Sequence, residues 1–290
     1  MPFKLAKHRQ TIITPSASSL VSALRDATAA CGATWAPSPR LLSNLLLEAA
    51  RFRAVPGRQL VATSPTLAAV VLQAYPHAAG RLAIVTPGVN LPGPGLSRSD
   101  ARRQLGLPQS AALVLFVAND YPRKGLDTLL HALQRMPDGT MLAVVGNPAG
   151  IAVYRERAAS LGLAERVYFL GAMTDMAPAY RAATVLAHPT LDDTFAMVVL
   201  EAMAHGLPVV VSSAAHCGIS ALLTDGEQAL LLDDPLDARR LAGALERVLA
   251  EPALANHLCE QGLLFAGQHS WQAAALDCEQ IYLAGLRPPA

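Results

Sequence analysis

The chain has 290 residues, 52% of them hydrophobic and 16% charged, with a formal net charge of +1. That size and apolar content fit a globular chain of one to two domains, and the near-neutral charge gives no electrostatic argument for a nucleic-acid partner. Four widely spaced cysteines (Cys31, Cys217, Cys259, Cys278) with no C-x-x-C pair read as reduced thiols in a cytosolic protein, not as a disulfide framework or zinc site. No apolar run reaches the roughly 18 residues of a membrane span. The start, MPFKLAKHRQTIITPSASS, lacks the sustained apolar stretch of a secretory signal.

Residues 1–57 are the least legible. RLLSNLLLEAARF (40–52) has Leu41, Leu45, Ala49 and Phe52 at helical spacing, ended by Pro56-Gly57. A short strand (60–62), a helix from Ser64-Pro65 to about Tyr75 and a second strand in RLAIVTPGVN follow. LPGPGLSRSD (91–100) is rich in Pro and Gly and reads as a linker. From Ala101 the pattern is regular. Apolar strands at 112–118, 141–147, 167–171, 184–188, 207–211 and 229–233 alternate with helices at 125–136, 151–162 and 176–183 and one starting near Asp193 or Thr194. Helices at 236–250, 253–266 and 269–286 close the chain. Continuous apolar strands separated by helices predict one six-stranded, parallel, doubly wound sheet over residues 101–268. Ligands bind such sheets at the carboxyl ends of the strands.

Two of those ends carry candidate chemistry. In TVLAHPTLDDTFAMVVLEAMAHGLPVVVSS (184–213), Asp193 or Thr194 is placed to N-cap a helix, and Gly206 and Pro208 to end it. A helix start beyond a strand offers free N–H groups and partial positive charge to a phosphate; the alternative is an ordinary crossover helix. Asp193 and Glu201, eight residues apart, would lie roughly 12 Å apart on one helix. That exceeds the spacing of a glycosidase pair and suits the two ends of an elongated diphosphate ligand such as a nucleotide sugar. The other end, NDYPRKG (119–125), sets Arg123 and Lys124 before a helix, where cations would meet a phosphate; the alternative is a solvated turn. Asp192-Asp193 and His216-Cys217 suggest a metal only weakly, since no further ligand is spaced to join the latter. Asp233, Asp234 and Asp237 read as helix caps. No G-x-S-x-G, Walker A or G-x-G-x-x-G occurs.

The stretch HPTLDDTFAMVVLEAMAHGLPVV resembles the signature P-S-x-x-E-x-F-G-x-x-x-L-E-A-M-A-x-G-x-P-V-V of GT-B retaining glycosyltransferases, family 4 or "group 1" type. The resemblance implies an α/β fold of GT-B type, with a complete C-terminal Rossmann-like parallel-sheet domain and a partial N-terminal α/β domain. By position, Asp193 would sit by the donor sugar, the N–H groups of Phe195, Ala196 and Met197 would hold the diphosphate, and Glu201 the ribose. The implied catalytic set is Arg123, Lys124 and Asp193. The implied donor-binding set is Asn119, Gly146, Thr194, Phe195, Ala196, Met197, Glu201 and Gly218. No metal or cofactor is implied, because these enzymes stabilise the leaving diphosphate with cations and a helix dipole. The chain departs from the pattern at Asp193 (Glu is usual), Ala196 (Gly is common) and Asn119 (often Arg). The R-K-G-x-D loop (123–127) is similar to that of the subgroup that adds glucose to the heptose of lipopolysaccharide core.

The implied organisation is a partial acceptor-side domain and linker (1–95), a donor-binding domain (96–268) and a last helix crossing back (269–290). Fewer than 100 residues precede the donor half, so the first acceptor-side strands are absent, as in a fragment, a misplaced start or a reduced protein. His8, Asp26 and Glu48 are the polar candidates there, and none sits in a motif. The expectation is hexose transfer, with retention, from a UDP-sugar to a glycan or lipopolysaccharide-core acceptor. It would take place in the cytoplasm, with a peripheral contact to the inner membrane, and slowly for this chain alone. Rival readings are a non-catalytic nucleotide-sugar-binding remnant and a GT-B sugar-nucleotide epimerase.

Overall fold

The computed structural model describes residues 11–12, 39–55 and 57–286; His8, Asp26, Cys31 and Pro56 lie outside the described residues. Contacts divide the chain into two compact units, one running to Pro87 and taking in the chain from Gln272, the other Gly88–Trp271.

In the first unit, β1 (Thr11–Ile12), α1 (Pro39–Phe52), β2 (Leu60–Ala62), α2 (Pro65–Ala74) and β3 (Leu82–Ile84) form a three-stranded parallel sheet with its helices, in strand order β1-β2-β3. Helix α2 starts where the Ser-Pro pair predicts, and the Ser64 hydroxyl accepts from the Leu67 N–H at 3.2 Å. Phe52, Leu60, Leu67 and Val71 make the core. The last carbonyls of α1 accept from Arg58 and Arg81 side chains, which supplies the partners a helix end lacks. Glu48 is buried and accepts from the Tyr75 hydroxyl at 3.1 Å. Burial raises its carboxyl pKa against the opposing effect of that bond.

The second unit is the doubly wound sheet. Helix α3 (Arg98–Gln104) leads into β4 (Ala112–Ala118), α4 (Leu126–Leu133), β5 (Thr140–Gly146), α5 (Ile151–Ser160), β6 (Val167–Gly171), α6 (Ala177–Ala182) and β7 (Val185–His188). Then come α7 (Met197–Ala204), β8 (Val209–Ser212), β9 (Leu230–Leu232), α8 (Ala238–Ala250) and α9 (Pro252–Gln268). All six strands pair in parallel, in the order β6-β5-β4-β7-β8-β9. Asp237 caps α8 through the N–H groups of Arg239 and Arg240, as its position before the helix predicts. The final helix, α10 (Trp271–Leu286), belongs mostly to the first unit, where Ala274 packs with Val61 and Val85.

The apolar strand runs are continuous because both sheet faces are buried. In β4, Leu113 and Leu115 face a core shared with Tyr180 of α6, Val199 and Met203 of α7 and Phe265 of α9. Val114 and Phe116 face the opposite core, with Leu129 and Leu133 of α4, Tyr154 of α5 and Leu245 of α8. The chain lays β5 and β6 on one side of β4, then returns to place β7 on the other. The order therefore reverses between β4 and β7, and a crevice opens beyond the carboxyl ends of that pair.

One element starts later than its sequence suggests. Helix α7 begins at Met197, not at Asp193 or Thr194. Residues 193–195 are tied to residues 216–219, with Asp193 in a bridge to Cys217 and a bend at Thr194 and Phe195: Asp193 N–H donates to His216 O (2.8 Å), Gly218 N–H to Asp193 O (2.8 Å) and Ile219 N–H to Phe195 O (3.0 Å). A backbone committed to a neighbour in this way cannot close helical hydrogen bonds. The turn into the helix then falls on Ala196, at φ +70°, where glycine carries no penalty. Ala196→Gly removes a left-handed alanine and should raise unfolding stability by about 1 kcal/mol, read as an increased denaturant midpoint at unchanged slope.

Candidate functional site

The loops after β4 and β7 are tied together by several bonds: the Leu191 N–H donates to the Arg123 carbonyl at 2.9 Å, and the Lys124 side chain reaches across as well. Gly125, at φ +81°, follows Lys124; a β-carbon there would run into the Pro189 carbonyl oxygen, so the loops after β4 and β7 meet closely only because the residue is glycine. Across this contact Lys124 Nζ reaches Asp193 Oδ2 at 2.7 Å and the Asp192 carbonyl at 2.8 Å. His188, the last residue of β7, brings Nε2 to the same Oδ2 at 3.2 Å. The other carboxylate oxygen, Oδ1, accepts from the N–H groups of Phe195 (3.2 Å) and Ala196 (2.9 Å). A carboxylate has about four acceptor positions, and all four of Asp193's are filled.

The electrostatics follow from burial. His188 is 1% exposed, and desolvation lowers its pKa, against the pull of Asp193. It is therefore neutral and donates its Nε2 proton to the carboxylate, which leaves Nδ1 buried without a partner among the described residues. For Asp193, desolvation alone would raise the pKa. The hydrogen bonds from His188 and Lys124 and the lysine charge outweigh it and hold the carboxyl far below the usual range. Arg123 is more open: Nε lies 3.4 Å from the Asp192 carbonyl and the guanidinium 3.8 Å from its carboxylate, with 39% of the side chain exposed.

The remaining sequence candidates divide. Asn119 follows β4 and is exposed; Gly146 ends the adjacent β5, so close to Ala118 O that no β-carbon fits. Thr194 is half-buried in the loop before α7. Glu201, on α7, accepts from the Tyr180 hydroxyl at 2.6 Å through Oε2. Two expectations change. The N–H groups of Phe195 and Ala196 are already taken by Asp193, so of the predicted trio Met197 keeps a first-turn N–H for a ligand. Gly218 points its N–H at the Asp193 carbonyl, not outward. His216 Nδ1 lies 3.1 Å from Leu191 O and Cys217 is buried, and among the described residues no group of three or more potential metal ligands occurs. Sequence reasoning passed over His188 and Tyr180; the signals were a histidine closing an apolar strand and a tyrosine in a short, otherwise small-residue helix.

The family model described as "Glycosyl transferases group 1" matches residues 97–264, more than half of the chain. The chain belongs to this family. A group 1 relative from Streptosporangium roseum, D-inositol 3-phosphate glycosyltransferase, is 33% identical over 248 residues, covering 79% of this chain and 55% of that protein. The chain thus spans about half the length of this curated relative. The crystal structure of WaaG, a glycosyltransferase involved in lipopolysaccharide biosynthesis, superposes with a TM-score of 0.78 at 24% identity over 89% of this chain and 72% of that one. HepE of Anabaena, in complex with UDP and glucose, superposes with a TM-score of 0.72 at 22% identity over 86% and 68%. These structural matches establish the GT-B fold of this group 1 chain. No described helix is long and apolar enough to cross a membrane.

The buried histidine makes stability depend on pH. Unfolded, His188 titrates near pH 6.5; folded, its pKa is lower. As pH falls below about 6.5 the unfolded chain takes up a proton that the folded chain refuses, so stability is lost, with a slope of at most ~1.4 kcal/mol per pH unit. Asp193 acts in the same direction but only below about pH 4. His188→Gln, which keeps a donor and removes the titration, should flatten the stability profile between pH 7 and 5 in denaturant titrations while leaving the strongly acidic limb in place.

Proposed function

We propose that the protein transfers a hexose such as glucose from a UDP-sugar to a saccharide acceptor, with retention at the anomeric carbon and without a metal. The observation that carries this reading is Lys124 held against the loop that leads into α7 beside the β4/β7 switch point, with Glu201 just over one turn into that helix. A diphosphate needs concentrated positive potential there, and an ammonium group and a helix N-terminus supply it. During transfer the bond between the anomeric carbon and the diphosphate oxygen breaks, and the departing diphosphate takes the electron pair. Lys124, Arg123 and the Met197 N–H would stabilise that developing charge, which is electrostatic catalysis. Glu201 would take the ribose hydroxyls.

The proposed division assigns residues 96–268 to the donor, residues 1–95 to the acceptor side and linker, and 269–290 to a helix that returns to the first unit. Two acceptors have support. The lipopolysaccharide core, in surface-glycan synthesis with peripheral contact at the cytoplasmic face of the membrane, rests on the R-K-G-x-D loop and the likeness to WaaG. A cyclitol phosphate rests on the name of the 33% identical relative. Transfer assays with both acceptors separate them, and donor binding without transfer to either would favour the non-catalytic reading. Calorimetry with UDP-glucose should detect binding that a chelator does not abolish. Lys124→Ala should weaken it by about 1.5–3 kcal/mol, the range for a charged hydrogen bond; unchanged affinity would remove Lys124 from the site.

A further inference from the structure

We propose that Tyr180 is a positioning residue for nucleoside recognition: its hydroxyl fixes one oxygen of Glu201 so that the other is presented to the ribose hydroxyls. The inference rests on the reading of the site given above.

Tyr180 lies on α6, 2% exposed, with its hydroxyl 2.6 Å from Glu201 Oε2 on α7. Burial, then the adjacent carboxylate, push the phenol pKa far upward, so the hydroxyl keeps its proton. A carboxylate oxygen only accepts, which sets the direction of the bond. Oε1 has no protein partner among the described residues and is not a buried, unsatisfied atom. One oxygen of Glu201 is therefore held and the other is open to a ligand.

The tyrosine ring is itself held. His205 packs on it with ring centroids 4.9 Å apart and an interplanar angle of 31°. His205 Nδ1 lies 2.8 Å from the Glu201 carbonyl. A carbonyl only accepts, so Nδ1 carries the proton and Nε2 is left buried without a partner among the described residues. Neither nitrogen reaches the Glu201 carboxylate, so orientation of that carboxylate falls to the tyrosine hydroxyl. A pair of vicinal hydroxyls donating to one carboxylate needs that carboxylate fixed in rotation, because preorganisation removes the ordering cost from binding.

A bond that merely joined α6 to α7 would affect every ligand alike; a positioning bond affects only ligands with ribose hydroxyls. Calorimetry would compare wild type and Tyr180→Phe with UDP, with 2′,3′-dideoxy-UDP and with inorganic pyrophosphate, after circular dichroism has established that both are folded. Tyr180→Phe should weaken UDP about tenfold, on the scale of a lost hydrogen bond to a charged group, and leave the other two ligands unchanged. Glu201→Gln should show the same ribose-specific loss, and Tyr180→Phe should add little to it in the double variant. Equal UDP affinity in wild type and Tyr180→Phe, or an equal loss for all three ligands, overturns the proposal. If the wild type binds none of the three, the reading of the site fails first and this inference falls with it.

Discussion

The ion pair between Lys124 and Asp193 is the contact on which the rest of the site depends. It joins the loop after β4 to the loop after β7, two adjacent strands whose connections leave the sheet in opposite directions. A doubly wound sheet always opens a crevice at such a point, but the crevice has a defined shape only if something sets the separation of its loops. Here a largely buried ammonium and carboxylate, both side chains less than a fifth exposed, do so together with the backbone bond from Leu191 N–H to Arg123 O. A pair this shielded from water is screened far less than a surface pair. Its carboxylate is also completed by a neutral histidine and two backbone N–H groups, which offsets the cost of removing the charges from solvent.

That arrangement fills the acceptor positions of Asp193 with groups of the protein itself. A glutamate, one methylene longer, could extend beyond the loop toward a sugar. The aspartate is largely buried and saturated, and it holds the Lys124 ammonium at 2.7 Å. The local cost appears at Ala196. With residues 193–195 pinned beside 216–219, the chain must turn sharply into α7, and it does so through a left-handed alanine. Backbone strain beside a binding site persists only where surrounding contacts overdetermine it, and four hydrogen bonds on Asp193 together with three between the loops do so here.

Much of this was legible in the amino-acid sequence. Unbroken apolar runs such as ALVLFVA forecast strands with two buried faces, and β4 matches that run residue for residue. Ser64-Pro65 and Asp237 marked helix starts through local hydrogen bonds that depend on no distant partner. The start of α7 was not legible, because the residues that tie down 193–195 are His216 to Ile219, more than twenty positions away. Asp193 does bond as a cap, its Oδ1 accepting from the N–H groups of Phe195 and Ala196, but the tertiary pairing delays the first helical residue to Met197. The same holds for Gly218, whose N–H looked available only while its partner across the loop was unknown. His188 and Tyr180 were invisible as site residues because each reads as core, and each is core by burial. Their polar atoms acquire meaning from which carboxylate they reach.

The most direct test of the account is a crystal structure of the protein with UDP bound. The diphosphate is expected beyond the carboxyl ends of β4 and β7, with its oxygens within hydrogen-bonding distance of Lys124 Nζ and the Met197 N–H and the ribose beside Glu201. A diphosphate bound at the opposite end of the sheet, where Ala112, Thr140 and Glu246 line a recess, would contradict it.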